Sequence, residues 1–199
     1  MPSAILFRSA FNMQSRLILN ATAFDITLSR LCYQLIENHN NFENTALIGM
    51  QPRGVFLARR IRDTLQKLMP DRPIQYGELD ITFYRDDFRR RDEIAKASFT
   101  KIDFIIEDKK VVLIDDVLYT GRTIRAGMDA LLDFGRPRKV ELLVLIDRKF
   151  ARQLPVESNY IGKAIDSIDS DRVTVHWRET DKEDSVWLHT GNSNVQSSL

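Results

Sequence analysis

KKVVLIDDVLYTGRTIRAGMDALLDFG, residues 109–135, contains a complete strand–turn–helix unit. The apolar, β-branched-rich run 111–114 predicts a buried strand, and two acidic residues, Asp115 and Asp116, follow it. After the turn Tyr119–Thr123, apolar residues recur at helical spacing, and a glycine and a proline predict the end of the helix (Ile124, Met128, Leu131, Leu132; Gly135, Pro137). Ligands of open α/β sheets bind at such carboxyl ends of strands.

The same pattern of buried strand, tight turn and helix occurs earlier in the chain. The run Thr45–Met50 predicts a strand, Gln51-Pro52-Arg53-Gly54 a turn, and the apolar spacing through Leu68 a helix. Further segments predict one helix and several strands (helix 23–38; strands 17–19, 74–84, 139–146, 172–177 and 185–188). Alternating helices and buried strands predict an α/β fold, with a mostly parallel sheet covered on both faces.

Length and composition indicate one α/β domain with a small appendage, residues 1–189, and a disordered polar tail, residues 190–199. The net charge of +1 does not by itself indicate nucleic acid or a membrane. The single cysteine, Cys32, lies in a helical pattern, which favours a small hydrophobic role over a nucleophile and predicts a reducing compartment. No apolar stretch approaches the length of a membrane span, so we expect a cytoplasmic protein.

The turn after the central strand has the chemistry of a phosphate site. Backbone amides at the start of a helix bind anions, Gly121 lets the backbone approach closely, and Thr120 and Thr123 add hydroxyl donors. Asp115 and Asp116 would repel a phosphate, but they can accept hydrogen bonds from vicinal hydroxyls. The two halves together predict a site for a 5-phosphorylated ribose.

The run VVLIDDVLYTGRT, residues 111–123, resembles the phosphoribosyl pyrophosphate (PRPP) signature of type I phosphoribosyltransferases. The longer run DDVLYTGRTIRAGMDAL, the later segments GRP, LVLIDR, LP and YIGK, and GELDITFYRDD at Gly77–Asp87 resemble the PyrR family of pyrimidine operon regulators. The resemblance spans roughly residues 23 to 188. It implies the type I phosphoribosyltransferase fold, with a small hood from parts of 1–22 and 148–189.

The resemblance also implies roles for particular residues. Asp115, Asp116 and Arg53 would be catalytic, and the charged run from Tyr84 to Thr100 would close over PRPP. The implied PRPP-binding residues are Pro52, Arg53, Gly54, Tyr84, Arg85, Asp115, Asp116, Val117, Leu118, Tyr119, Thr120, Gly121, Arg122 and Thr123. The implied base-binding hood residues are Arg148, Tyr160, Ile161, Gly162 and Lys163. Mg²⁺ would be carried by PRPP or pyrophosphate, without an assigned protein ligand.

The activity implied by the resemblance is transfer of phosphoribosyl from PRPP to uracil, which gives UMP and pyrophosphate. The PRPP motif binds PRPP, the substrate that all these transferases share, and does not contact the base. A purine phosphoribosyltransferase without RNA binding is therefore an alternative. A regulator with residual catalysis is another.

In the PyrR family a dimer binds a leader-RNA hairpin, with uridine or guanine nucleotides such as UMP adjusting the affinity. The resemblance therefore implies leader RNA as a partner and a homodimer or higher homo-oligomer. Candidate RNA contacts in this chain are Arg30, Arg152 and Lys163. Tyr33 stands where the family commonly has histidine, and Asn38 and Glu157 stand where arginines are common. Fewer positive charges weaken a phosphate-contact surface, so the residues favour PRPP chemistry over RNA binding.

Overall fold

Five parallel strands form the main sheet, in the order β3-β2-β4-β5-β6. The computed structural model describes residues 14–86 and 99–190. The main-sheet strands are β2 Thr45–Met50, β3 Gln75–Leu79, β4 Lys110–Leu118, β5 Lys139–Lys149 and β6 Tyr160–Asp166. The predicted parallel α/β sheet is therefore confirmed.

Helices cover both faces of this sheet. The helices are α1 Ala21–His39, α2 Gly54–Leu68, α3 Arg122–Leu132 and the short α4 Arg178–Asp181. Buried residues of α1 and α2 belong to one hydrophobic cluster, while those of α3 belong to a second cluster on the opposite face. Asn20 caps the amino end of α1, since its side chain accepts a hydrogen bond from Ala23 N at 2.9 Å.

A second, antiparallel sheet forms the hood. Its order is β1-β8-β7, from β1 Gln14–Leu19, β7 Arg172–His176 and β8 Ser185–Thr190. Trp177, directly after β7, is fully buried and packs edge-on against Phe24 of α1 and stacked on Phe56 of α2. Arg60 of α2 pairs with Asp184, the residue before β8. The hood is thus fixed to the face of the sheet that carries α1 and α2.

The order in which the chain adds strands to the sheet reverses between β2 and β4. β2 leads outward to β3, whereas β4 leads to β5 and β6 on the other side. The turns that follow β2 and β4 therefore both lie at the topological switch point, where open α/β sheets bind ligands.

Three sequence predictions need correction. The predicted strand 74–84 ends at Leu79, because Asp80 accepts hydrogen bonds from the backbone and hydroxyl of Thr82, and a 3₁₀ turn follows. The acidic pair lies inside β4 and not after it, since β4 pairs with β5 as far as Leu118. Tyr160–Lys163 begin β6 of the main sheet and are not part of the hood.

Some predicted segments lie outside the described residues. They are the tail after residue 190, the segment before residue 14, and residues 87–98 of the loop predicted to close over PRPP. Within the ranges 14–86 and 99–190, no helix is both long enough and apolar enough to cross a membrane. Cys32 is fully buried in the core, and burial raises the pKa of its thiol to about 12, as expected for a structural cysteine.

Candidate active site

The turn between β4 and α3 has the shape of an anion site. Gly121 adopts a left-handed conformation with φ of 90°, and α3 begins at the next residue. The Thr120 hydroxyl oxygen accepts a hydrogen bond from Arg122 N at 3.3 Å. The first amides of α3 and the positive end of its dipole therefore face the space above the carboxyl edge of the sheet.

Two buried carboxylates lie beside this turn. Asp115 and Asp116 are each 7% exposed, and Asp115 Oδ1 accepts a hydrogen bond from Asp116 N at 2.9 Å. Burial raises the pKa of Asp115 well above its ordinary value, and the negative charge of Asp116 raises it further. The positive charges of Arg85 and Arg53 oppose that rise, which places both arginines near the pair.

Arg53 connects the turn after β2 with the acidic pair and with the hood. Its Nε donates to Asp116 Oδ2 at 2.8 Å, and its Nη2 donates to the carbonyl of Val175 in β7. Burial raises the pKa of Asp116, and this hydrogen bond from Arg53 opposes the rise. The Arg53 side chain is still 46% exposed, so a ligand can reach it.

Gly54 explains how the two turns come so close. A Cβ atom at Gly54 would lie 2.4 Å from the carbonyl oxygen of Ile114 and 2.9 Å from Asp115 Cα. Any side chain would force α2 away from β4. The amino end of α2 is therefore held directly against the strand that carries the acidic pair.

The loop predicted to close over PRPP has two described ends, and each contacts one of the turns that follow β2 and β4. At one end, Asp86 accepts a hydrogen bond from Arg122 Nη1 at 2.5 Å. At the other end, the carbonyl of Phe99 accepts one from Gln51 Nε2 at 2.9 Å. The hydroxyl of Tyr84, predicted to bind PRPP, instead donates to Asp133 near the end of α3.

Arg148 lies near the turn, whereas the other predicted base-binding residues are spread along β6. Its guanidinium carbon lies 3.9 Å from the centroid of the Tyr119 ring, and it donates to Ser167 Oγ and to the carbonyl of Ile168. Burial lowers the pKa of Arg148. In contrast, the hydroxyl of Tyr160 is in a buried network with Glu141 and His39.

The predicted RNA contacts separate into two places. Arg30 is exposed on α1 and donates to the carbonyls of Ile161 and Gly162 in β6, the strand that also carries the exposed Lys163. Arg152 instead donates to the carbonyl of Tyr119 and to Asp147, next to the anion-binding turn.

Sequence reasoning missed several contacts of the site. The carbonyl of Val175 and the amides of Gln153 and Leu154 carry no residue-type signal, because any residue offers these backbone groups. The stacking of Arg148 on Tyr119 joins a residue of β5 to one of the turn after β4, which no local motif indicates.

Raised acid pKa values make the site costly for stability. An acid whose pKa is higher in the folded protein than in the unfolded chain binds more protons in the folded state at any pH between those two pKa values. The free energy of unfolding therefore falls as the pH increases through that range. The Asp115→Asn variant is therefore expected to be more stable than wild type at pH 7, by about 1–2 kcal/mol. Urea denaturation at a series of pH values measures this. The gain should shrink towards pH 4, near the unfolded pKa of about 3.9, and a gain that is equal at pH 4 and pH 8 would contradict this origin.

Comparisons with known proteins agree with this geometry. The model of the phosphoribosyl transferase domain matches residues 16–184. A protein named bifunctional protein PyrR from Desulfosudis oleivorans is 44% identical over 173 residues, which covers 87% of this chain and 95% of that protein. The chain belongs to the PyrR family. A PyrR of the same name from Bacillus subtilis is 41% identical over 180 residues, covering 88% of this chain and 97% of that protein.

Solved structures show the same fold at lower identity. A hypoxanthine phosphoribosyltransferase from Staphylococcus aureus has a TM-score of 0.65 and 18% identity, with 98% of this chain and 99% of that chain covered. The Leishmania tarentolae HGPRT-ase, solved with GMP, has a TM-score of 0.63 and 12% identity, with 86% and 94% covered. This likeness establishes the type I phosphoribosyltransferase fold of this PyrR family member and leaves the base to be argued from other observations.

Proposed function

We propose that this PyrR family member transfers the phosphoribosyl group of PRPP to uracil, which gives UMP and pyrophosphate. The observation that carries the proposal is the buried pair Asp115 and Asp116 beside an anion-binding turn at the switch point. A phosphate site next to acceptors for vicinal hydroxyls suits the two ends of a 5-phosphorylated ribose.

Each part of the site has a task in this reaction. The 5-phosphate binds the amides and hydroxyls of the turn 119–123, while Asp115 and Asp116 accept hydrogen bonds from the ribose hydroxyls. As uracil N1 attacks ribose C1 and the bond to pyrophosphate breaks, positive charge develops on the sugar. The buried carboxylates stabilise that charge because the surrounding protein screens it weakly. Hydrogen bonds from the hydroxyls also favour the ionised form of both acids.

Arg53 binds the leaving diphosphate in this proposal. Its side chain is 46% exposed, and the guanidinium offers donors in the planar arrangement that suits phosphate oxygens. Pro52 and Gly54 place the adjacent backbone at the same turn, where Gly54 permits the close approach to β4. Arg53 therefore offsets negative charge on the group that departs.

Mg²⁺ is the cofactor that fits this chemistry. Among residues 14–86 and 99–190, no three histidine, cysteine, aspartate or glutamate side chains group into a metal-binding cluster. The site holds two buried acids, Asp115 and Asp116. Two carboxylates are too few for a cage made by the protein alone, and Mg²⁺ usually completes its ligands with water and substrate phosphates. Magnesium bound to the diphosphate would neutralise charge on the leaving group.

A nucleobase panel tests the proposed reaction. With PRPP, Mg²⁺ and one base at a time, we expect pyrophosphate release with uracil at a kcat/KM at least about 100-fold above hypoxanthine or guanine, because sites that hydrogen-bond a base reject unmatched ones strongly. Pyrophosphate release is measured by a coupled assay, with no-base reactions as the background. Faster release with a purine would overturn uracil as the acceptor in favour of a purine phosphoribosyltransferase.

RNA binding is a second candidate function, favoured by the bifunctional PyrR relatives. Arg30 on α1 and Lys163 on β6 are both exposed, and each offers a positive charge to the phosphates of a hairpin. Binding through phosphates weakens with salt, so filter binding of a pyrimidine leader RNA over a salt series, with and without UMP, measures this function. A homodimer would double the surface.

A further inference from the structure

The segment Arg152–Leu154, which we call the brace, holds the back of the anion-binding turn. The carbonyl of Tyr119 accepts a hydrogen bond from the Arg152 guanidinium. The carbonyl of Thr120 accepts two, from Gln153 N at 3.0 Å and from Leu154 N at 3.1 Å. Two successive carbonyls of the turn are therefore fixed by three donors from one short segment.

Fixing these carbonyls also fixes the amides that follow them. In a trans peptide the N–H points opposite to the C=O of the same plane. Among the described residues, the cis peptide is the bond Gln51–Pro52, so the planes joining residues 119, 120 and 121 are trans. The amides of Thr120 and Gly121 consequently point away from the brace, towards the open side of the turn.

Packing keeps the turn seated on the brace. A Cβ atom at Gly121 would lie 3.3 Å from both Leu154 Cβ and Val156 Cγ2. On the other side, Arg122 Nε donates to Gln153 Oε1 at 2.9 Å. The turn therefore contacts the brace through backbone, side chain and van der Waals surface.

The brace is itself anchored to the main sheet through Arg152. The second terminal nitrogen of Arg152 pairs with Asp147 at the end of β5, and Asp147 is 7% exposed. One planar guanidinium thus joins the carboxylate of β5 to the carbonyl of Tyr119, a pair of contacts that a lysine ammonium cannot reproduce in the same geometry.

We propose that Arg152 is a positioning residue that orients the amides of Thr120 and Gly121 towards the 5-phosphate of the substrate and of the nucleotide product. The inference rests on the proposed function, since it assumes that the turn binds this phosphate. It assigns Arg152 to the phosphate subsite, whereas the sequence suggested an RNA contact.

The test compares ligands with and without the 5-phosphate. In the Arg152→Ala variant, the Kd of UMP and the KM of PRPP should rise by about 10- to 100-fold, the size expected when hydrogen bonds to a charged group are misdirected. The proposed function assigns pyrophosphate binding to Arg53 and not to this turn. The Kd of inorganic pyrophosphate should therefore change less than about twofold. Arg152→Lys should lie between Arg152→Ala and wild type. Isothermal titration gives the affinities, and urea midpoints verify that the variants fold.

Arg138→Ala is the matched control. Arg138 is an exposed arginine whose backbone amide bonds to Lys109 before β5 begins, so its loss changes the same net charge without touching the turn. Wild-type UMP affinity in Arg152→Ala would overturn the brace, as would equal weakening of UMP and pyrophosphate. If wild type itself binds neither UMP nor PRPP, the proposed function fails and the brace proposal fails with it.

Discussion

The Asp116→Asn variant is expected to lower kcat for pyrophosphate release from PRPP and uracil by about 100- to 1,000-fold. The substitution keeps the shape of the side chain but removes the charge that stabilises the positive sugar in the transition state. It also removes the ionic partner of Arg53, whose Nε lies 2.8 Å from Asp116 Oδ2. The loss should therefore appear mainly in kcat, with a smaller change in the KM of PRPP.

A second acid gives the control for this prediction. Asp129 is an exposed residue of α3 that pairs with Arg125 at 3.0 Å, on the helix that follows the turn. Asp129→Asn changes the net charge equally and should leave kcat within about twofold of wild type, as surface substitutions usually do. Wild-type kcat in Asp116→Asn would show that this carboxylate is not part of the chemistry.

The Trp177→Ala variant is expected to lose about 3–5 kcal/mol of folding free energy. Trp177 is fully buried, its ring centroid is 5.3 Å from that of Phe24 and 5.7 Å from that of Phe56, and the Arg60 guanidinium lies 5.1 Å from it. The substitution leaves a cavity where the hood joins α1 and α2. Urea denaturation followed by circular dichroism measures the change.

Two further variants make this result specific. Trp177→Phe retains most of the apolar volume and should cost less than Trp177→Ala, which also covers the case in which the alanine variant does not fold. Trp187, the other tryptophan, is only partly buried, so Trp187→Ala should cost less than Trp177→Ala. Equal losses at the two tryptophans would contradict the role of Trp177 as the main contact between hood and core.

The parts of the fold that the sequence predicts well are those with local signals. The apolar run 111–114, the glycine of the turn and the helical spacing after it predict β4, the turn and α3, because burial on both faces and a left-handed residue each restrict the residue types. The same local signals predict β2, the turn at 51–54 and α2, and the structure places β2 beside β4.

The parts that the sequence does not predict depend on contacts distant along the chain. The resemblance implies that Tyr160 belongs to the base-binding hood, yet its hydroxyl donates to Glu141 and its backbone pairs with Leu143 in the main sheet. The resemblance to PyrR predicts Arg152 as a candidate RNA contact, and no local pattern around it indicates contacts with the turn. Only the fold reveals that Asp147 and the carbonyl of Tyr119 lie within its reach.

The pairing of Arg53 with Asp116 has a thermodynamic consequence for turnover. The two groups already pair with one another. If Arg53 and Asp116 bind substrate as proposed, binding exchanges one set of ion pairs for another and does not bring partners to isolated charges. The net free energy of binding is then the difference between the contacts made with substrate and the Arg53–Asp116 pair that is given up. The affinity for substrate is therefore lower than the individual contacts suggest. The same internal competitor favours departure of the products, since the arginine and the carboxylate recover one another as pyrophosphate and nucleotide leave.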